Sequence, residues 1–261
     1  MENVFPYGEE EIAYLKKRDK KLAAIIDELG HPNRPLRGDL FTSVVDSIVA
    51  QQISTKAHAT VWKRFVELLG GPAPEDGEFL WPEGIVTPEN ILAKSVEELQ
   101  ACGMTFTKVS YIRDFAEKVH SGAFDLEAVK SMSDEDAIAA LSSLRGIGVW
   151  TAEMILLHCL QRPDILSYGD LAILRGMRMV YRHRKITREQ FERYRRRYSP
   201  YGSVASIYLW KVSACAIPGL TDPAPKTKPK AKPKTKAKSK AKPKTKAKSK
   251  AKPKKEKKPG K

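Results

Sequence analysis

Apolar residues recur at helical spacing along most of the chain. From Glu9 to Leu29, the positions Ile12, Leu15, Leu22, Ile25, Ile26 and Leu29 share one stripe, which predicts a single amphipathic helix stopped by Gly30 and Pro32. Leu40, Phe41, Val44, Val45, Ile48 and Val49 predict a second helix from Asp39 to Gln51. Gln51-Gln52-Ile53-Ser54 interrupts the pattern, and Ser54 then caps a helix running through Val61, Phe65 and Leu68 to Gly70. Gly71 to Thr87, rich in Gly, Pro and acid, reads as a surface loop. Ser95 and Glu98 make a capping box for a short helix ending near Gly103. Further helices are predicted from Thr107 to His120, from Asp134 to Leu144 behind Ser133, from Val149 to Leu160 and from Leu171 to Tyr181. Thr187 and Gln190 open another, and Tyr201 to Ala216 is the last. No stretch alternates as a half-buried strand does, so the expected fold class is all-α.

Composition changes the picture only at the end of the chain. Of the 261 residues, those from Lys226 to Lys261 are almost wholly Lys, Ala, Pro, Thr and Ser, and the decapeptide AKPKTKAKSK occurs at Ala231–Lys240 and again at Ala241–Lys250. This segment holds 19 Lys against one Glu, a net +18, so the chain's net charge of +16 leaves −2 for residues 1–225, with 28 Lys+Arg against 30 Asp+Glu. The high charge belongs to the tail. From Lys226 onward there is no large apolar residue to bury, and Pro and like charge oppose helix, so the tail, placed at 218–261, is expected to be disordered. Dense positive charge binds polyanions by counterion release, and nucleic acid fits better than an acidic membrane because no amphipathic pattern accompanies it.

The remaining length suffices for one large or two small domains, divided here into a helical extension at 1–38 and a body at 39–217. No apolar run reaches membrane-spanning length and the N-terminus is not a signal peptide, so no membrane association is expected. Three scattered cysteines, Cys102, Cys159 and Cys215, fit a reducing cytoplasm better than a disulfide framework. The five histidines show no metal-ligand spacing.

The candidate chemistry lies between Leu144 and Asp170. Gly146-Ile147-Gly148 joins two apolar helical arms; two glycines let backbone amides approach a bulky anion, and a helix starting at Val149 adds its positive end. Asp170 stands where the next helix begins, and its residue type suits either a helix N-cap or a buried catalytic carboxylate. Trp150 and Trp210 suit either a core or a base pocket, as do Tyr168 and Met104. The run from Arg175 to Arg197 holds ten Lys and Arg residues against Glu189 and Glu192; it suits a solvated helix face or, beside Asp170, a surface for a nucleic-acid backbone.

LRGIGVWTA at Leu144–Ala152, followed by SYGDLAI at Ser167–Ile173, resembles the helix-hairpin-helix DNA glycosylases that carry a Gly/Pro-rich loop and an aspartate, and within them the 3-methyladenine DNA glycosylase II branch. IVAQQISTKA at Ile48–Ala57, ACGMTFTKVSYI at Ala101–Ile112 and SPYGSVASIYLW at Ser199–Trp210 resemble further blocks of that family, in the family's order. The lysine repeats lie outside its pattern, and the chain has no room for the β domain of larger members.

The resemblance implies a two-lobed helical fold acting on double-stranded DNA with a damaged base. It implies that Asp170 is the catalytic carboxylate, that Trp150 and Trp210 sit in the base pocket, for which Tyr168 and Met104 are further candidates with packing as their alternative role, and that the hairpin Leu144, Gly146, Ile147 and Gly148, with Thr151, holds a phosphate. A Na⁺ or K⁺ on the carbonyls of Leu144 and Ile147 is expected with that hairpin. Gln51, Gln52, Ser54 and Arg175 complete the implied DNA contacts, with Gln52 at the position that fills the gap left by the flipped base. Strand-nicking relatives carry a Schiff-base lysine where this chain has Trp150, and no Lys lies between Gly146 and Asp170, so a monofunctional hydrolase is expected. Only Cys215 stands near the region where other branches hold an iron–sulfur cluster, so no cofactor is expected.

The expected enzyme is therefore a monomeric, cytoplasmic, nucleoid-associated glycosylase that hydrolyses the N-glycosidic bond of alkylated purines of the 3-methyladenine and 7-methylguanine type. The alternatives are a glycosylase for a neutral lesion such as hypoxanthine, uracil or 8-oxoguanine, and a non-catalytic architectural protein that uses the hairpin and tail to bind DNA.

Overall fold

A computed structural model describes residues 4–72 and 81–224; the lysine-rich tail from Lys226 and its expected disorder lie outside the described residues, whereas residues 218–224 of the expected tail are described, with Leu220 packed on the core and Asp222 paired with Arg178. The described residues form thirteen α-helices and no strand beyond one isolated bridge between Val4 and Pro35. In chain order they are α1 (Glu9–Arg18), α2 (Lys20–Leu29), α3 (Leu40–Ala50), α4 (Thr55–Leu68), α5 (Pro88–Leu92), α6 (Val96–Ala101), α7 (Phe106–His120), α8 (Leu126–Ser131), α9 (Asp134–Ser142), α10 (Val149–His158), α11 (Leu171–Tyr181), α12 (Arg188–Tyr198) and α13 (Gly202–Ser213). The all-α expectation holds.

Local capping explains most of these boundaries. The Ser54 side chain accepts from Ala57 N at 3.2 Å, Ser133 from Asp136 N at 3.1 Å, and the Ser95/Glu98 and Thr187/Gln190 pairs form full capping boxes. Two short helices, α5 and α8, were not expected from the pattern. Each is a turn or so long and rests on a cap, Thr87 and Asp125 respectively, rather than on an apolar stripe.

The single helix expected from Glu9 to Leu29 is instead two, α1 and α2, broken at Asp19. Asp19 Oδ1 accepts from Lys21 N and Leu22 N, both at 3.0 Å, and so caps α2. Its other oxygen accepts from the Tyr181 hydroxyl at 2.9 Å and Arg197 Nη1 at 2.6 Å, and Tyr181 also hydrogen-bonds Tyr198. A carboxylate 3 % exposed needs such partners, and meeting them turns the chain.

Helix packing divides the molecule into two lobes. In one, α1 and α2 lie with α11, α12 and α13; in the other, α3 to α10 pack together, with α7 against α3, α5 and α6 and α9 against α10. The described part of the N-terminal extension is thus integral to the C-terminal lobe: Phe5, Leu15, Leu22, Ile25 and Ile26 are buried in the common core. Helices α11 and α13 approach closely at Gly176, where a Cβ would stand 2.3 Å from the carbonyl oxygen of Leu209. The chain crosses between lobes at residues 30–39 and 159–170, and both crossings reach the site described next.

Candidate functional site

Asp170 closes the second crossing and is the N-cap of α11. Its Oδ1 accepts from Ala172 N at 2.8 Å and Ile173 N at 2.9 Å. Its Oδ2 accepts from the indole N–H of Trp150 at 3.0 Å and of Trp210 at 3.3 Å. One oxygen caps a helix while the other sits between two aromatic donors, so the capping role leaves half of the carboxylate free to face elsewhere. The residue is 6 % exposed. Its backbone is held by Asp170 N donating to Ser167 O at 3.4 Å, and the Ser167 hydroxyl is itself hydrogen-bonded to Glu153 on α10. Burial pushes the Glu153 carboxyl above its ordinary pKa, with the Ser167 bond opposing that rise.

Asp170 faces a cavity of about 780 Å³ between the lobes, bounded by Gln51 and Gln52 after α3, Trp150 and Thr151 on α10, Trp210 on α13, and Arg34 on the first crossing. That is the size range of a small-molecule or nucleobase site. Trp150, 48 % exposed, also borders a second pocket of about 340 Å³ that holds Tyr168, Glu153 and Asp164 with Arg188. Tyr168 is therefore on the far side of Trp150 from the larger cavity, with the Arg188 guanidinium 4.8 Å above its ring and Phe191 edge-on at 5.1 Å. Met104 is not with either group: it is 3 % exposed, belongs to the apolar core, and lines neither cavity.

The hairpin between α9 and α10 turns at Gly146, whose φ is +87°. A Cβ there would lie 2.4 Å from the ring of Tyr111, so both backbone conformation and packing require glycine. Leu144 and Ile147 bury their side chains, at 3 % and 4 % exposure, which leaves the turn's backbone outermost. Gly148 is different: φ is −97° and nothing lies within 4 Å of a Cβ built on it. It is the N-cap of α10 and offers no side chain to the first-turn amides, which leaves them to an outside acceptor. The Leu144 carbonyl accepts from Ile147 N at 3.1 Å, keeping one lone pair for a hard cation.

The turn after α3 is tied to this hairpin. The Gln51 side-chain amide donates to Gly146 O at 2.6 Å, and Lys108 Nζ donates to Val49 O at 2.8 Å from α7. Burial lowers the pKa of Lys108. Gln52 then takes a left-handed conformation, φ +57°, at the mouth of the cavity. Exposed apolar side chains gather on the same elements: Ile53, Val149, Trp150 and Leu171, the last 80 % exposed beside Asp170.

Ser54 serves as the α4 cap. Arg175 lines neither cavity; it lies 3.8 Å from Asp222, and its Nη2 is 3.5 Å from Cys215 Sγ. The arginine run is split in use. Arg178 and Arg197 are committed to Asp222 and Asp19, Arg188 to Glu192, while Arg182, Arg184, Arg193 and Arg196 are exposed. Among the described residues no group of three or more His, Cys, Asp or Glu could hold a metal ion, and no helix is long and apolar enough to cross a membrane.

Residues absent from the expected site are Arg34, Arg37 and His158. Arg34 Nη2 is 3.2 Å from His158 Nε2, its guanidinium carbon is 4.9 Å from the centre of the Trp210 ring, and His158 stacks on the same indole at 5.4 Å. Burial, then Arg34 and Arg37, push the His158 pKa down to about 2, so the ring is neutral, accepts at Nε2 and carries its proton on Nδ1. Arg37 N donates to His158 O at 2.9 Å, and its guanidinium lies 3.3 Å from the buried Asp46. The only sequence signal for them is R-P-L-R between two helix stops, two cations on a segment stiffened by proline.

Comparison with known proteins gives the chain's family. The family model described as "HhH-GPD superfamily base excision DNA repair protein" matches residues 45–200. A Schizosaccharomyces pombe protein named DNA-3-methyladenine glycosylase 1 is 28 % identical over 78 % of this chain and 86 % of its own length. The crystal structure of a DNA-3-methyladenine glycosidase from Bacillus halodurans superposes with a TM-score of 0.68 at 32 % identity, covering 80 % of this chain and 92 % of that one. The S. pombe 3-methyladenine DNA glycosylase in complex with abasic DNA gives a TM-score of 0.64 at 27 % identity, over 79 % and 97 % of the two chains.

Proposed function

Since the chain belongs to the HhH-GPD superfamily of base excision DNA repair proteins, we propose that it is a monofunctional DNA glycosylase for alkylated purines, acting on a base flipped into the cavity beside Asp170. The observation that carries this reading is the division of the Asp170 carboxylate: Oδ1 is spent on the α11 cap, and Oδ2 is held by two indole N–H groups at the cavity wall. As the N-glycosidic bond breaks, its electron pair leaves with the base and positive charge builds on the sugar, which a fixed, nearly buried carboxylate stabilises. Asp170 orients a water that bonds to the sugar carbon and gives up its proton to solvent. A purine alkylated at N3 or N7 already carries positive charge and leaves as a neutral base without further protonation.

The hairpin Leu144–Gly148 and the α10 N-terminus, with Thr151, seat a phosphate of the same strand, with a Na⁺ or K⁺ on the carbonyls of Leu144 and Ile147 as its companion. Gln52 occupies the place of the flipped base. Trp150, where a nicking enzyme needs lysine, makes the reaction a hydrolysis that leaves an abasic site, with no iron–sulfur cluster involved. The protein works as a monomer on cytoplasmic, nucleoid DNA, and the lysine repeats raise its local concentration there without reading sequence. Incubating the full chain with methylated DNA tests this reading: release of 3-methyladenine and 7-methylguanine by the wild type, lost in Asp170→Asn, is expected. No release by the wild type, or equal release by both, overturns it.

A further inference from the structure

The larger cavity contains a permanent positive charge that the alkylpurine chemistry does not call for. Arg34 comes from the crossing between α2 and α3, outside the family-matched residues 45–200, and lines the same cavity as Asp170, Trp150 and Trp210. Two contacts fix it, and a third braces its partner. Its guanidinium stacks 4.9 Å from the Trp210 ring centre, its Nη2 donates to the neutral Nε2 of His158 at 3.2 Å, and His158 is itself stacked on Trp210. Arg34 Nε is buried without a hydrogen-bond partner, and a carboxylate able to neutralise the group is absent from its contacts among the described residues; Asp170 acts on it only through space.

A guanidinium stays charged even when burial lowers its pKa, as here. Its field acts on any base entering the cavity, and a cation already lying against Trp210 draws that ring's electrons and weakens its attraction for a second cation. Neutral His158 adds no compensating negative charge. A flipped neutral base with a carbonyl or unsubstituted ring nitrogen turned toward Arg34 gains a charge-assisted acceptor contact, and it leaves with the bond's electron pair as an anion that the guanidinium stabilises until solvent water protonates it, whereas a cationic alkylpurine meets repulsion that Asp170 must outweigh.

We propose that Arg34 is a specificity-determining residue that shifts the cavity away from cationic alkylpurines and toward neutral damaged purines with an acceptor edge. This rests on the glycosylase reading above and extends its substrate class to neutral lesions such as hypoxanthine. His158 is a positioning residue that holds the guanidinium against the indole.

The test uses the full chain and duplexes carrying one 7-methylguanine, cationic in its ring, or one hypoxanthine, neutral, at the same position. Single-turnover excision constants are measured for wild type, Arg34→Met, Arg34→Gln and Arg34→Lys. Met keeps the long apolar stem, Gln is a second neutral variant should Met not fold, and Lys keeps the charge. The wild type is expected to excise both bases. The ratio of 7-methylguanine to hypoxanthine rates should rise by roughly tenfold or more in either neutral variant, and stay within about threefold of wild type in Arg34→Lys, since the effect is one of charge. An unchanged ratio in the neutral variants, or a wild type that excises the cationic base alone, overturns the role of Arg34 while leaving the glycosylase reading standing. A wild type that excises neither base overturns both.

Discussion

Trp150 donates its indole N–H to Oδ2 of Asp170 at 3.0 Å while the other oxygen of that carboxylate caps α11, so a single side chain fastens a helix and faces the cavity. The two duties are separable. Asparagine is as good an N-cap as aspartate, since its carbonyl oxygen can take the place of Oδ1. Its amide nitrogen then meets the two indole N–H donors where an acceptor is needed, and the negative charge is gone.

Asp170→Asn should therefore lose excision by about 10²-fold or more, the size expected for a preorganised electrostatic group, with thermal stability close to wild type. Asp170→Ala should lose both, the second by about 1 kcal/mol for the missing cap. Single-turnover excision and melting curves of the two variants distinguish these outcomes. Equal destabilisation of both would mean that the cap adds nothing.

The two hairpin glycines should behave oppositely on substitution. At Gly146 a Cβ meets the Tyr111 ring and φ is +87°, so Gly146→Ala should cost about 1–3 kcal/mol of stability. Gly148→Ala meets open space at an ordinary φ and should fold like wild type. Its methyl group stands over the open end of α10, so DNA affinity should fall by roughly fivefold or more, as when a phosphate contact is lost. Denaturant unfolding and DNA titration at one fixed salt concentration check both. A Gly148→Ala protein with native affinity would place the phosphate elsewhere.

What could be read from the sequence divides along the same line as local and distant effects. Ser54, Ser95, Ser133 and Thr187 announce their helices because a cap acts on residues two or three positions away. The hairpin and Asp170 are legible for the same reason. Asp19 breaks an apparently continuous stripe because its partners, Tyr181 and Arg197, are more than 160 residues distant. Arg34 and His158 meet across 124 residues, and no spacing rule marks such a pair. Met104 shows the converse failure: motif position suggested a pocket residue, while its side chain is claimed by the core. Tyr168 lies three-dimensionally behind Trp150 although it is two residues from Asp170, because the tight turn held by Ser167 sends the two side chains to different cavities.

Gln51 joins the turn at the cavity mouth to the hairpin through one bond to Gly146 O. The bond is solvent-accessible and adds little to folding, but it fixes Gln52 relative to the hairpin proposed to seat a phosphate. Gln51→Ala should leave the melting temperature within a degree or two while weakening binding to lesion-containing duplex by about fivefold, with a smaller change on undamaged DNA. Equal weakening on both duplexes would assign Gln51 to general backbone contact instead.

His158 gives the protein a pH dependence of known sign. In the folded state its pKa is near 2, against 6.5 for a free histidine, because burial and two arginines oppose its protonation. Between those values the unfolded chain binds a proton that the folded chain does not, so stability is greatest above pH 6.5 and falls as pH drops below it. The slope from this one group approaches about 1.4 kcal/mol per pH unit well below 6.5. His158→Gln keeps an acceptor for Arg34 but does not titrate. Urea unfolding at pH 7, 5.5 and 4.5 should show the wild type ahead of His158→Gln at neutral pH, with the gap narrowing by about that slope between 5.5 and 4.5. Parallel curves over this range would mean that the imidazole is protonated in the folded protein, and the hydrogen bond from Arg34 to Nε2 would then be impossible.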